Sequence, residues 1–244
     1  YQRDYTGHKH GALQQRDQAM HFISHDIRAP NASILTLLEM QRAYPGRMAD
    51  DELLRRIERY AQASLGMAES FVQLASAQAQ EYRMAPIDLV ALLAETTDDL
   101  WALARDKQVD VRTIASPDTA LCLGDQALLR RALANVINNA IKFSPGGGVV
   151  QCAIAERGAH WVVSVRDQGP GIAPELQDKL FTPYQRLHDR SHPAVQGVGL
   201  GLALVATVVQ RNGGSLEVDS DTGRGAEFRL VLPCSAHGPE DSEG

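Results

Sequence analysis

The chain has almost no cysteine: Cys122, Cys152 and Cys234 are its full complement in 244 residues. An odd, widely spaced set fits neither a disulfide framework nor a zinc site, and a reducing compartment suits it best. Positive charge is not in excess. The 24 Lys and Arg face 30 Asp and Glu, for a formal charge of −6, so there is no basic footprint for nucleic-acid phosphates and no nucleic-acid partner is expected. No long hydrophobic run is present either. The longest charge-free apolar stretch, 197–210, is interrupted by glycine at its start and falls well short of the roughly 20 residues that span a bilayer. No signal peptide is visible, and no membrane contact is expected within this stretch. The chain opens at Tyr1 in the middle of a polar segment. It is therefore expected to be a cytoplasmic fragment, cut from a longer protein that can be membrane-anchored.

A hydrophobic content of 44% over this length suits a small helical module joined to one medium domain. Leu13, Met20, Ile27 and Ile34 recur every seven residues, with Ile23 and Leu37 between them, which predicts one long packed helix over 10–43. Tyr44-Pro45-Gly46-Arg47 is a turn signal. Leu53, Ile57, Tyr60, Met67, Phe71 and Leu74 then resume a three-four spacing to about Gln80. Two helices alone leave half of each apolar stripe bare. Pairing with a second copy into a four-helix bundle covers it, so a homodimer is expected.

The pattern changes near 81–85, which places a helical hairpin at 10–82 and a second domain at 83–234. A polar tail, 235–244, is expected to lack order. The second domain reads as α+β. One helix-like run covers 88–105, and further helices are predicted at 125–143, capped by Asp125, and at 200–212, stopped by Gly213-Gly214. Short β-branched or alternating segments at 109–114, 120–123, 149–155, 161–167, 215–219 and 226–232 read as strands of a mixed sheet carrying one helical layer.

Four stretches carry chemistry. In Ser24-His25-Asp26-Ile27-Arg28-Ala29-Pro30, His25 falls two residues before a seam position and is directed away from the bundle core. Neutral imidazole is plentiful near pH 7 and keeps a free lone pair. In the run from Asn135 to Pro145, Asn135, Asn139 and Lys142 share one helix face. Amides there suit a hydrated Mg²⁺, and Lys142 suits phosphate oxygens. Asp167-Gln168-Gly169-Pro170-Gly171-Ile172 follows a strand, where a carboxylate can accept from an adenine amino group while Gly169 and Gly171 let backbone come close. Gly197-Val198-Gly199-Leu200-Gly201-Leu202 opens a helix, leaving backbone N–H groups for phosphate. It follows a long loop rather than a strand, which argues against a Rossmann or Walker site.

Taken in order, these stretches resemble the sensor histidine kinases of two-component systems. The His25 run resembles their phosphoacceptor box, the Asn135 run the N box of the Bergerat-type ATP-binding fold, the Asp167 run its G1 box, and the stretch from Gly197 to Leu202 its G2 box. Phe181-Thr182-Pro183-Tyr184 resembles the F box of an ATP lid, with Arg186 as a nearby phosphate contact. Thr222 to Phe228 resembles the last glycine box. The likeness covers about 20–232 and implies a hairpin for dimerisation and histidine phosphotransfer, followed by an α/β sandwich that binds ATP. It further implies ATP and Mg²⁺ as cofactors, Asn139 as the magnesium ligand, and His25 as nucleophile with Asp26 accepting its proton. The expected partner is a response regulator receiver domain bearing an acceptor aspartate. ATP-splitting members of the superfamily, such as gyrase, carry a glutamate four residues before the magnesium-binding asparagine. Asn135 fills that slot here and cannot act as a general base. Two rival readings are a nucleotide-binding scaffold and a Ser/Thr kinase of the anti-sigma type.

Overall fold

The computed structural model describes residues 27–182 and 200–235. They form two units, divided between Gln73 and Leu74. In the first, helix α1 (Arg28–Ala43) and helix α2 (Asp50–Ala79) are joined by the turn at Tyr44–Arg47. Gly46 adopts φ 83°, a left-handed conformation that favours glycine. The expected seam is visible in α1, where Leu37 is buried and Ile27 and Ile34 are half-buried. The part of the expected helix before residue 27 lies outside the described residues. Asp50, Asp51 and Glu52 open α2, a favourable sign at the positive end of the helix dipole.

The second unit begins with the last turn of α2. Arg211 donates to the Ala77 and Gln78 carbonyls, both at 2.8 Å, and its guanidinium lies 4.2 Å from the Tyr82 ring centroid. Carbonyls left open at a helix C-terminus are thereby satisfied by a cation. Next come β1 (Ala85–Asp88), α3 (Leu89–Asp99), α4 (Trp101–Asp106), β2 (Asp110–Ala115), β3 (Leu121–Gly124), α5 (Gln126–Phe143), β4 (Val149–Arg157), β5 (His160–Arg166), α6 (Pro174–Gln177), α7 (Gly201–Arg211), β6 (Ser215–Ser220) and β7 (Ala226–Pro233).

The main sheet has the order β2-β4-β5-β7-β6, with β2 parallel to β4 and the other pairs antiparallel. This is the mixed sheet that the alternation predicted. Val150, Cys152 and Ile154 of β4, Val163 and Val165 of β5, and Phe228, Leu230 and Leu232 of β7 point inward. They meet Leu129, Leu133, Val136 and Ile137 of α5 and Leu204, Val205 and Val208 of α7, all nearly inaccessible, in a single core. β1 and β3 form a separate antiparallel pair.

Two local features depart from the expectations. The run over 88–105 is broken at Leu100 into α3 and α4. Thr96 and Thr97 hydroxyls bond back to the Leu92 and Ala94 carbonyls, competition with the backbone that bends and weakens helices. β1 carries no strand signal of its own, being four residues long and containing Pro86. The predicted caps hold. Asp125 accepts from Leu128 N at 3.1 Å, and α7 gives way to Gly213 at φ 76°. A Cβ on Gly214 would lie 2.1 Å from the Val231 carbonyl oxygen, so only glycine fits there.

Candidate nucleotide-binding site

Helices α5 and α7 lie side by side, and their polar edges meet at one point. Asn135 of α5 donates to the Arg131 carbonyl at 3.0 Å. Its Oδ1 stands 3.0 Å from where a Cβ on Gly201 would sit. Glycine at the first position of α7 thus lets the two helices approach. Asn139 and Lys142 continue the same face of α5 and are half-buried, as are Gly201 and Leu202. Lys142 is held below the ordinary lysine range, first by burial and then by the nearby charge of Lys107.

Asp167 follows the end of β5 and is 5% exposed. Its Oδ1 accepts from Gly169 N at 2.8 Å and from Ala226 N at 3.1 Å, and Oδ2 has no donor among the described residues. Burial raises its pKa, and the two backbone donors oppose that rise. A Cβ on Gly169 would lie 2.9 Å from both Asp167 Oδ1 and the Phe143 carbonyl oxygen, so this glycine lets the loop after β5 close on the end of α5. Gly171, at φ 72°, packs against the β6–β7 turn, where a Cβ would come within 1.9 Å of the Asp221 carbonyl oxygen.

The described residues therefore bring together Asn135, Asn139, Lys142, Gly201 and Leu202 on two adjoining helices, with Asp167, Gly169 and Gly171 at the sheet end beside Phe143. His25, Asp26, Tyr184, Arg186, Gly197 and Gly199 lie outside the described residues. Among the described residues no cluster of three or more His, Cys, Asp or Glu could hold a metal ion. A groove of about 500 Å³ also touches Asp167, but it is lined by Val149, Gln151, Arg166, Gln168, Gly223 and Arg224. No residue of α5 or α7 borders it, so it belongs to the open face of the sheet rather than to this site.

Sequence reasoning passed over several bracing residues. Gln168 accepts from Val149 N at 2.9 Å. Ser220 accepts from Ile172 N at 2.9 Å and donates to the Gly225 carbonyl at 2.7 Å. Lys107 donates to the Lys142 carbonyl. Only Gln168 lay inside a recognisable motif; the other two come from stretches with no local signal.

Residues 124–236 match the family described as histidine kinase-, DNA gyrase B- and HSP90-like ATPases. The chain is 33% identical over 230 residues to the sensor-like histidine kinase SenX3 of Mycobacterium bovis, covering 91% of this chain and 54% of that protein. The chain belongs to the sensor histidine kinases. It spans about half the length of such curated histidine kinase relatives. Among solved histidine kinases, the mycobacterial sensor kinase MprB is 29% identical with a TM-score of 0.54, over 62% of this chain and 97% of that one. The histidine kinase ThkA, solved with the response regulator TrrA, superposes with a TM-score of 0.74 at 20% identity, over 93% of this chain and 64% of that one, and shares the α+β fold. In this histidine kinase no helix among the described residues is long and apolar enough to cross a membrane.

Proposed function

We propose that this chain binds Mg-ATP in its second domain, 83–234, phosphorylates its own His25 in the helical hairpin, 10–82, and passes the phosphoryl group to an aspartate of a response regulator receiver domain. The observation that carries the reading is the character of the α5 face. It offers amides and one lysine beside a buried carboxylate, and the slot where an ATP-splitting enzyme needs a base is Asn135, whose amide is bonded to the Arg131 carbonyl and pressed against Gly201. Without a base for water, the terminal phosphoryl group is kept for a better nucleophile. Asp167 Oδ2 accepts from the adenine amino group, and Lys142 and the N–H groups at the start of α7 meet phosphate oxygens.

Asn139 suits a hydrated magnesium ion carried in on the nucleotide, since Mg²⁺ keeps several waters and takes few protein ligands. When bound there, it neutralises charge on the phosphates. In the transfer, a ring nitrogen of His25 uses its lone pair to form the bond to the γ-phosphorus while the bond to the bridging oxygen of ADP breaks. The Asp26 carboxylate takes the proton from the other ring nitrogen. Attack by the receiver's aspartate carboxylate on phosphorus then forms the acyl phosphate as the bond from phosphorus to the ring nitrogen breaks, and the proton held by Asp26 returns to the ring to leave neutral imidazole. Support for the partner comes from ThkA, which was solved with a response regulator. Homodimerisation through the hairpin is supported by Leu35, Leu54 and Leu65, each more than 60% exposed.

Incubation with γ-labelled ATP tests the proposal. The expected result is protein-bound label that is stable to base, lost in acid and absent from His25→Gln. Nucleotide binding without label would instead favour a scaffold, and acid-stable label a Ser/Thr kinase.

A further inference from the structure

Lys107 lies outside every stretch that marked the site, yet its ammonium reaches the site's edge. Helix α4 ends at Asp106, and Gln108 takes a left-handed φ of 59° that turns the chain. The turn is bolted to the loop after α5, because Gly147 N donates to the Gln108 carbonyl at 2.7 Å and Asp110 N to the Gly148 carbonyl at 3.0 Å. From this anchored turn Lys107 Nζ donates to the carbonyl of Lys142 in the last turn of α5.

The final carbonyls of a helix have no partner within it and attract cations. A lysine in the last turn, such as Lys142, ordinarily folds back onto them. Here Lys107 already occupies that place and adds a positive charge to it. The Lys142 ammonium instead lies 5.9 Å from the Phe143 ring centroid. Both lysines are held below their ordinary range, Lys107 by burial and Lys142 by burial and then by Lys107, with no carboxylate among the described residues contributing to either. Two cations at one helix end repel each other and are stabilised by an incoming polyanion.

We propose that Lys107 is a positioning residue for the triphosphate of ATP: by holding the Lys142 carbonyl, it keeps the Lys142 ammonium off the helix end and turned toward the phosphates. This rests on the reading that Lys142 meets phosphate, and it adds a residue that acts through Lys142 without touching the nucleotide.

Autophosphorylation kinetics of Lys107→Met, Lys107→Arg, Lys142→Met and the Lys107→Met/Lys142→Met pair test it, alongside the affinity of each for adenosine, which has no phosphate. Lys107→Met should raise the KM for ATP about five- to tenfold with kcat and adenosine affinity unchanged. Lys107→Arg, which keeps donor and charge, should restore KM to within about twofold. In the Lys142→Met background, Lys107→Met should add nothing, since the two act through one group. An unchanged KM in Lys107→Met, a parallel loss of adenosine affinity, or additive effects in the double variant would each overturn this role and leave the ATP reading standing. A parent protein that binds no ATP would overturn both.

Discussion

Asp167 illustrates how a residue proposed to bind nucleotide can oppose the stability of its own fold. Its carboxyl is buried, and burial raises its pKa above the ordinary 3.8 despite the Gly169 and Ala226 amides. The folded chain therefore holds that proton more tightly than the unfolded chain does. The group favours folding at pH below its ordinary value, and that contribution is lost as pH rises through the raised folded value. At neutral pH the ionised carboxylate is a net cost. Asp167→Asn removes the cost and keeps the shape. Because two backbone N–H groups point at Oδ1, the asparagine must place its carbonyl oxygen there and its NH₂ toward the ligand. A donor would then face the adenine amino donor. The variant should melt at a higher temperature than the parent without nucleotide, while its ATP affinity falls about 10- to 100-fold. Calorimetric melting and nucleotide titration check the two halves. A lower melting temperature would contradict the pKa argument, and unchanged affinity would contradict the assignment to adenine.

Among elements, the β6–β7 turn matters most to the site. Gly225 adopts φ 76°, and a Cβ there would lie 2.1 Å from the Asp167 carbonyl oxygen. Gly223 N donates to the Pro170 carbonyl at 2.6 Å. The turn is thus the wall against which the Asp167 loop is set. Gly225→Ala combines a left-handed φ with a backbone clash and should destabilise the second unit by about 2 kcal/mol or more. Nucleotide affinity should fall with it, whereas Gly147→Ala, also at positive φ but with nothing within 4 Å of its Cβ, should lose less of both. Urea melts of the two variants check this. The same elements show what sequence could and could not reveal. Period-two alternation exposed β4, β5 and β7, and period 3.6 exposed α5 and α7, because each buries one face against a single core. The glycine motifs were legible as spacings, but their partners were not. Lys107 lies 35 positions from Lys142, and nothing local to either lysine signals the contact. Four-residue β1 contains Pro86, and α6 is a single turn, so neither shows a period of its own.

For the molecule as a whole, the hairpin remains unfinished as a single copy. Leu35, Leu54 and Leu65 are 61, 62 and 64% exposed, and covering each is worth about 1.5–3 kcal/mol relative to leaving it in water. Replacing Leu54 and Leu65 together with Glu should convert a dimer to a monomer in light scattering while nucleotide affinity is retained. A dimer that persists would show that some other surface joins the copies.

Helix α7 has a glycine pressed against Asn135 at one end and, at the other, Arg211 gripping the carbonyls of Ala77 and Gln78. Eleven residues of α-helix make a rod about 16 Å long that neither stretches nor shortens appreciably. A twist applied where α2 ends is therefore carried by one stiff piece to Gly201, the end of the helix proposed to meet phosphate, like a key turned in a lock.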